Sequence, residues 1–507
     1  MRFPFSTGDP TKDFTSSIHN LLTERTLIIA SNRGPVTLRQ REGGEVEYQR
    51  GAGGLVTALI GVLQHAQAKW IACAQTEADK AWGHGEVPLG DSDEKVWMHF
   101  VTPDEAAYDG YYGVIANPLL WFLQHSMWSI FREPTIDQAM WRHWEEGYVH
   151  VNRLFAEAIS QQIGAETQPA LVMLQDYHLY LAPEFIRYEF RPKAKYTLAH
   201  FIHIPWPGAE DWGLLPSRMR EAILKGLCAV DLLGFQTHED GLNFIRTCES
   251  HLPGCRVNYR KAKVRFRNHT TYIRDFPISI DVQGLEQFAE TREVISYRDQ
   301  LQQFHGEWQL MLRIDRIEPS KNIVRGFQAF DELLELHPEH RGRVKFLAFL
   351  VPSRLDVLEY GNYLDELMGI AGRVNAKYGG NDWEPIRVLV EENYPRAVAA
   401  LQLYDVLVVN SIADGMNLVA KEGPVINRRD GVLVLSERTG AYQQLEPGVL
   451  VVSPLDVYGT AEAMHQALTM PVEERRQRAA QLRSIIEEQD IVDWLNQQLN
   501  SIIRLKL

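Results

Sequence analysis

YDVLVVNSIADGMNLVAKEG, residues 404–423, decides the reading of the fold. Its first half is a nearly unbroken apolar run closing on Asn410 and Ser411, the pattern of a strand buried on both faces. Gly415 then permits a tight turn, and the second half takes the spacing of a helix. Strand, glycine turn and helix make the unit of a parallel α/β sheet, whose ligands bind beyond the carboxyl ends of the strands. The peptide N–H groups of Met416, Asn417 and Leu418 can face an anion there. Glu422 lies one helical turn past Leu418 on the same face, where a carboxylate can accept from ribose hydroxyls. As bare spacing, a solvated helix carboxylate would look the same.

The same unit recurs on both sides. WQLMLRIDR (308–316), VKFLAFLVPSR (344–354), IRVLVEE (386–392), GVLVLSE (431–437) and GVLVVSP (448–454) are strand-like, and helical stretches such as NIVRGFQAFDELLELH (322–337) separate them. Upstream lies an earlier series: TLIIASNR (26–33), WIACAQ (70–75), LVMLQDYH (171–178), TLAHFIHI (197–204) and LLGFQT (232–237). Its helical stretches include residues 55–67 and 126–162, and FPISIDVQGLEQF (276–288) joins the two series. The sequence thus predicts an α/β protein: a polar leader over 1–25, Rossmann-like domains over 26–275 and 276–480, and a helical end over 481–507.

Composition bounds the function. At roughly 100–200 residues per domain, 507 residues hold two to four domains. The net charge of −14 argues against a general nucleic-acid footprint, although a few Arg and Lys can still dominate the field inside a cleft. The four cysteines form no CxxC pair, so reduced, mostly buried thiols are expected and a structural zinc is not. The N-terminus reads as no secretory signal and no run is long enough to span a membrane, so a cytoplasmic protein with no membrane partner is expected.

Several strand ends carry chemistry. SNRGPV puts Arg33 after the first strand, and RGAGGL brings glycines, Gly54 among them, to the start of a helix, where backbone can approach a phosphate. LQDYHL ends a strand at Asp176 and His178, and HIPWPG ends the next at His203. The Asp and His could suggest a hydrolytic dyad, but no GxSxG elbow exists and no Cys sits at a strand-to-helix turn. RIEPSKN supplies Arg316 and Lys321, a clamp for a diphosphate leaving group, with Ser320 placed to cap the helix that follows. From spacing alone, two solvated surface cations would look the same. VPSR ends its strand at Arg354.

Taken in order, SNRGPV, GAGGL, YYGVIANPLLW, QDYHL, HIPWP, LLGFQT, RIEPSK, PSR, GRVNAKYG and DGMNLVAKEG resemble the trehalose-6-phosphate synthase family of retaining glycosyltransferases, family 20. The resemblance implies a GT-B fold, with two Rossmann-like domains facing across a cleft and the final helix returning to the N-terminal domain. It implies transfer of glucose from a nucleoside diphosphate glucose to a phosphorylated acceptor, with glucose 6-phosphate leading. By the same resemblance Arg316 and Lys321 would clamp the donor diphosphate. Leu418 would offer its N–H to a phosphate, Glu422 would hold the ribose, and Gly54 would approach the diphosphate. Asp414, Met416 and Asn417 would hold the donor sugar, with His203 near its 6-hydroxyl. Asp176 would hold an acceptor hydroxyl, Trp121 would lie on the acceptor side, and Arg33, Tyr112 and Arg354 would grip the acceptor phosphate. No DxD-like pair stands at the expected metal position, so no cofactor or obligatory metal is expected. The sequence is compatible with a homo-oligomer and carries no motif that decides it.

Three departures keep the substrate open. Cys73 stands where the family carries a second Trp lining the acceptor pocket, RIEPSKN replaces RLDYSKG, and HIPWPGAEDW places Glu210, Asp211 and Trp212 in the acceptor-side loop. These resemble a divergent branch that includes validoxylamine-type pseudo-glycosyltransferases and relatives of glucosylglycerol-phosphate synthases. Glycerol 3-phosphate or a cyclitol phosphate is therefore an alternative acceptor, and a catalytically silent sugar-phosphate sensor an alternative role. The donor base (UDP, GDP or ADP) is not encoded in any motif.

Overall fold

The computed structural model describes residues 16–40, 46–50, 68–88, 95–129, 134–353, 358–380 and 382–506. The chain forms two compact units, dividing after Ile278 and returning to the first unit at Val492.

The first unit carries β1 (Thr26–Ser31), β2 (Val36–Gln40), β3 (Val46–Arg50), β4 (Ala68–Cys73), β5 (His84–Pro88), β6 (Lys95–Val101), β7 (Ala170–Gln175), β8 (Tyr196–Phe201), β9 (Leu232–Phe235), β10 (Arg256–Asn258), β11 (Lys263–Phe266) and β12 (His269–Asp275). All but the β2–β3 hairpin join one sheet, in the order β10-β11-β12-β9-β8-β7-β1-β4-β6-β5. The strands from β12 to β6 run parallel, and only the edges are antiparallel. β1 and β7 are buried at every position, as strands covered on both faces must be. Strand order reverses between β1 and β7, so the loops leaving these two strands open onto the crevice of a doubly wound sheet.

The second unit repeats the plan in a smaller form. β13 (Gln309–Arg316), β14 (Val344–Val351), β15 (Ile386–Val390), β16 (Val406–Val409), β17 (Val432–Ser436) and β18 (Leu450–Val452) form an all-parallel sheet in the order β15-β14-β13-β16-β17-β18. Its reversal lies between β13 and β16, the strands that precede the RIEPSK and DGMNLVAKEG segments. The helices Ile323–Leu336 and Val457–Thr469 cover one apolar layer built from Phe327, Phe330, Leu333, Phe346, Val408 and Met464.

Four expectations are revised. The polar leader contains a helix, Ser16–Glu24, because Ile18 and Leu22 fall four residues apart and both bury. The helical stretch expected over 126–162 opens later, at the N-cap Asp137, whose side chain accepts from the Met140 N–H. The joining segment holds a helix of its own, Val282–Ala289. The boundary expected at 480/481 cuts through the helix Val472–Glu488, whose Leu482 and Ile486 bury in the second unit; the change of unit comes at 491/492 instead. The helix expected over 55–67 lies outside the described residues.

The final helix, Ile491–Leu505, belongs to the first unit. Its Trp494 is 1% exposed, meets Phe201 edge-on with ring centroids 5.3 Å apart, and donates its indole N–H to the Phe276 carbonyl at 3.1 Å. Trp494→Ala removes this aromatic and its hydrogen bond. It should cost about 3–5 kcal/mol in a urea unfolding titration, the range for emptying a buried aromatic site.

Candidate active site

In the second unit the site grows from a buried arginine. Arg313 is fully buried on β13 and would be prohibitive there unless paired. Its guanidinium reaches Asp315 at 2.8 Å, Asn410 Oδ1 at 2.6 Å, and the carbonyls of Lys321 and Ile323 at 3.0 and 3.4 Å. One side chain thus ties β13 to the loop after it and to the end of β16. Asn322 sits in that loop at φ +59 and donates to the carbonyls of Asn410 and Pro454. It, and not Ser320, holds the N-cap position of the helix Ile323–Leu336, without a side-chain capping bond. Ser320 is buried, and its carbonyl accepts from the Ile412 N–H.

The loop so fixed presents Lys321, whose Nζ lies 2.5 Å from Asp414 Oδ2. Burial lowers the affinity of this amine for its proton, but the carboxylates of Asp414, Asp315 and Glu318 more than offset that, and the amine sits above its ordinary range. Lys321 is therefore a fixed positive charge. Arg316 ends β13 half-exposed, its Nε 3.2 Å from the buried Glu318 carboxylate. Asp414 also accepts from Ser411 Oγ at 3.3 Å and Asn417 Nδ2 at 3.0 Å.

Beyond Asp414 the backbone turns through Asn417 at φ +70 into the helix Val419–Ile426. Asn417 spends its side chain inside the protein, on Asp414 and on the Ala420 N–H, and Met416 is buried. What these two can show a ligand is backbone, not side chain. Leu418 stands at the helix N-terminus, where the first N–H groups lack intrahelical acceptors. Glu422 is half-buried, with the Tyr394 hydroxyl 3.4 Å from Oε1, and burial pushes its carboxyl up to about 7. Lys421, next to it, was not singled out by sequence. It is 1% exposed, donates to Gln444 at 2.7 Å, and burial pulls its amine down to about 7.

In the first unit, β7 ends on Asp176, whose backbone takes φ +69 and ψ 177, a region that side-chain-bearing residues rarely enter. Bonds to its N–H, its carbonyl and its carboxylate hold the strain in place. The Asp176 N–H donates to Phe201, its carbonyl accepts from His200 Nε2 at 2.9 Å, and its carboxylate accepts from the His203 N–H at 3.2 Å. The His203 ring bonds Gln175 Oε1 at 3.0 Å and packs on Phe201. Burial, reinforced by His200, drops its imidazole to about 3, so it is neutral at physiological pH. Arg33 leaves β1 exposed, with Nη2 3.4 Å from the Tyr112 hydroxyl, and Tyr112 stacks between Tyr108 and His178. The retained Trp70 braces this loop from below, its indole N–H donating to Ser31 Oγ at 2.8 Å.

Other expected positions differ. Trp121 is 6% exposed and stacked on His125 at 3.9 Å, so it packs in the core of the first unit. Trp212 is no loop residue facing a ligand; it is fully buried against Trp206 at 4.2 Å because the Ala209–Trp212 turn folds it inward. Cys73 is buried in the apolar cluster that also holds Tyr111, and burial pushes its thiol up, so it stays protonated. Gly54 and Arg354 lie outside the described residues.

The sequence model for "Glycosyltransferase family 20" matches residues 25–504. The chain belongs to glycosyltransferase family 20. Its similarity to an Aspergillus fumigatus alpha,alpha-trehalose-phosphate synthase [UDP-forming] is 33% identity over 491 residues, 94% of this chain and 97% of that protein. The E. coli trehalose-6-phosphate structure bound with UDP-2-fluoro glucose superposes with a TM-score of 0.82 at 27% identity, covering 94% of this chain and 98% of that one. A Burkholderia xenovorans alpha,alpha-trehalose-phosphate synthase (UDP-forming) in complex with glucose-6-phosphate gives 0.80 at 25% identity, covering 95% and 100%. This family 20 glycosyltransferase therefore has the GT-B architecture, with an α/β unit of Rossmann type in each half.

Two predictions follow from the geometry of the second unit. A Cβ on Gly440 would lie 1.8 Å from the Gly415 carbonyl, so Gly440→Ala must displace the turn that follows Asp414. It should cost about 1–3 kcal/mol by thermal or urea unfolding and weaken nucleotide binding in calorimetry. Glu422 holds its proton more tightly when folded than unfolded, so its contribution to stability falls as pH rises from about 4.5 to about 7. Urea midpoints from pH 4.5 to 8 should show Glu422→Gln gaining on the parent across that window and no further above it.

Proposed function

We propose that this glycosyltransferase moves the glucosyl group of UDP-glucose to glucose 6-phosphate with retention, giving trehalose 6-phosphate and UDP. The observation that carries the reading is the Lys321–Asp414 pair at the reversal point of the second sheet, with Arg316 beside it. Breaking the bond between C1 and the diphosphate oxygen leaves negative charge on the β-phosphate. A largely enclosed, permanently protonated lysine and a neighbouring guanidinium lower the energy of that charge without reorganising as it forms. Asp414 holds the lysine in place, so cation and carboxylate act as one preorganised unit. The N–H groups at the start of the Val419–Ile426 helix add their dipole to the same charge. The chain supplies the leaving-group clamp from its own cations, and the reading needs no obligatory metal.

The acceptor hydroxyl attacks C1 on the face the diphosphate leaves, and its proton passes to the departing phosphate oxygen. The protein contributes position and field. Arg33 with Tyr112 holds the acceptor phosphate, Asp176 an acceptor hydroxyl, and neutral His203 a donor-sugar hydroxyl. Glu422 accepts from the ribose. The UDP-forming relatives and the glucose-6-phosphate complex support this choice of donor and acceptor over GDP, ADP or another phosphorylated acceptor. Cys73 is the observation favouring a different acceptor, since a buried thiol stands where the family's motif carries an aromatic. A cytoplasmic setting accords with four free thiols, three of them buried. Among the described residues no helix is long and apolar enough to cross a membrane.

The purified chain incubated with glucose 6-phosphate and UDP-glucose should release UDP and yield a disaccharide phosphate by mass, and GDP- and ADP-glucose should serve less well. Nucleotide release only with another phosphorylated acceptor would replace glucose 6-phosphate in this reading; binding of sugar phosphate with no release would make the protein a sensor. Lys321→Met and Arg316→Ala should each lower kcat by about 100- to 1,000-fold, as for removal of one charge-stabilising donor, and leave acceptor KM within a few-fold. Full activity in either variant would remove that residue from the clamp.

A further inference from the structure

At the far end of the Ile323–Leu336 helix, roughly 20 Å along its axis from the Lys321 loop, three histidines and two glutamates gather. His337 follows the last turn of the helix, and Glu339 and His340 lie in the short turn Pro338–His340. Glu462 and His465 lie three residues apart on one face of the neighbouring helix Val457–Thr469. Donor atoms of His337, Glu339 and His465 all fall within 4.8 Å of one another. The proposed role of the protein makes no use of them.

The pairings within the cluster have the form of a metal site with its supporting shell. His337 Nε2 is 2.9 Å from Glu462 Oε1, which orients the ring and leaves Nδ1 toward Glu339, 3.4 Å away. Two ligands about 2.05 Å from a tetrahedral ion stand about 3.4 Å apart. His340 Nε2 lies 3.0 Å from His465 Nδ1, so with His465 Nδ1–H donating to the His340 Nε2 lone pair that ring too is fixed, and Nε2 of His465 keeps its lone pair for an ion. Histidine ligands are characteristically held this way, by a carboxylate or another acceptor that takes the N–H of the second ring nitrogen. The His337 and His465 rings stack with centroids 3.6 Å apart, and both are half-buried, which holds the two imidazoles side by side. Beneath them Leu333, Leu334 and Met464 are fully buried, which makes the two helices a rigid base, and Glu339 is exposed enough to offer an entry path.

We propose that His337, Glu339 and His465 bind one zinc-class divalent ion, with water completing the coordination and Glu462 and His340 orienting the ligands. Two imidazoles and a carboxylate suit zinc, cobalt or nickel better than the harder magnesium or calcium. The ion would fasten the end of the helix that begins at the Lys321 loop to the helix beside it. It would therefore act on stability, not on the reacting bond.

The test uses the full chain after treatment with chelator. Titration with Co²⁺, followed by its visible absorption, and with Zn²⁺ by calorimetry should show one equivalent per chain and a higher Tm. His465→Gln and His337→Gln should each lose that equivalent, with affinity down about 100-fold or more. Glu462→Gln should weaken it by about 10- to 100-fold, as outer-shell partners do. Glucosyl transfer by metal-free protein should be the same in all three variants and the parent, which also reports that they fold. An equivalent retained in both histidine variants, or no stoichiometric binding by the parent, would overturn the proposal.

Discussion

A guanidinium with no access to water organises the second half of this enzyme. Stripping a charge of solvent is affordable only where every donor is met, and Arg313 meets a carboxylate, an amide and two carbonyls drawn from three segments. Those segments are the strand β13, the loop carrying Lys321, and the end of β16 that leads to Asp414. Burial of this one side chain makes their relative positions all-or-none. Gly326 is part of the same constraint, since a Cβ there would come within 2.3 Å of the guanidinium. Lys321 and Asp414, 2.5 Å apart, stand on the loop and beyond the strand end that this arginine ties together.

The first unit reaches the same end by different means. Its strand-end Asp176 hangs on bonds to neighbouring backbone and imidazole groups. Asp176 is bonded through its N–H, its carbonyl and its carboxylate to the end of β8 and the residues that follow it, so the loops after adjacent parallel strands set each other's geometry. Trp494 joins this arrangement from the end of the chain, with its ring beside Phe201 and 6.3 Å from His203. The surroundings of the His203 imidazole therefore include a residue nearly three hundred positions later in sequence.

The strands were legible because a strand buried on both faces must be apolar throughout, and LVMLQ or VLVV can be little else. The motifs at their ends were legible for the same reason, as polar residues interrupting apolar runs. Features set by tertiary structure were not. The helix Ser16–Glu24 shows only two buried positions, too few to stand out from a polar segment. Ser320 has the right residue type for a cap, but the left-handed Asn322 takes the position because its side chain is needed by Asn410 and Pro454. Trp121 and Trp212 carry motif-level signals, yet nothing local to their sequence says which way an indole points. One buried pair is nonetheless written in the sequence: Arg313 and Asp315, two charges two residues apart within a strand that is apolar on either side of Arg313. That pattern places both on one buried face and requires them to be each other's partners.

The backbone of Asp176 sets two selective pressures against each other. In the conformation it holds, glycine would be relaxed and aspartate is not, so the native residue carries a conformational energy of order 1–3 kcal/mol. On the acceptor-holding role proposed for Asp176, a screen for heat resistance would reward its replacement by glycine, and a screen for turnover would restore the carboxylate. Position 176 is thus a place where thermostability and function are inherited as alternatives, and a library selected on either one alone would drift away from the other.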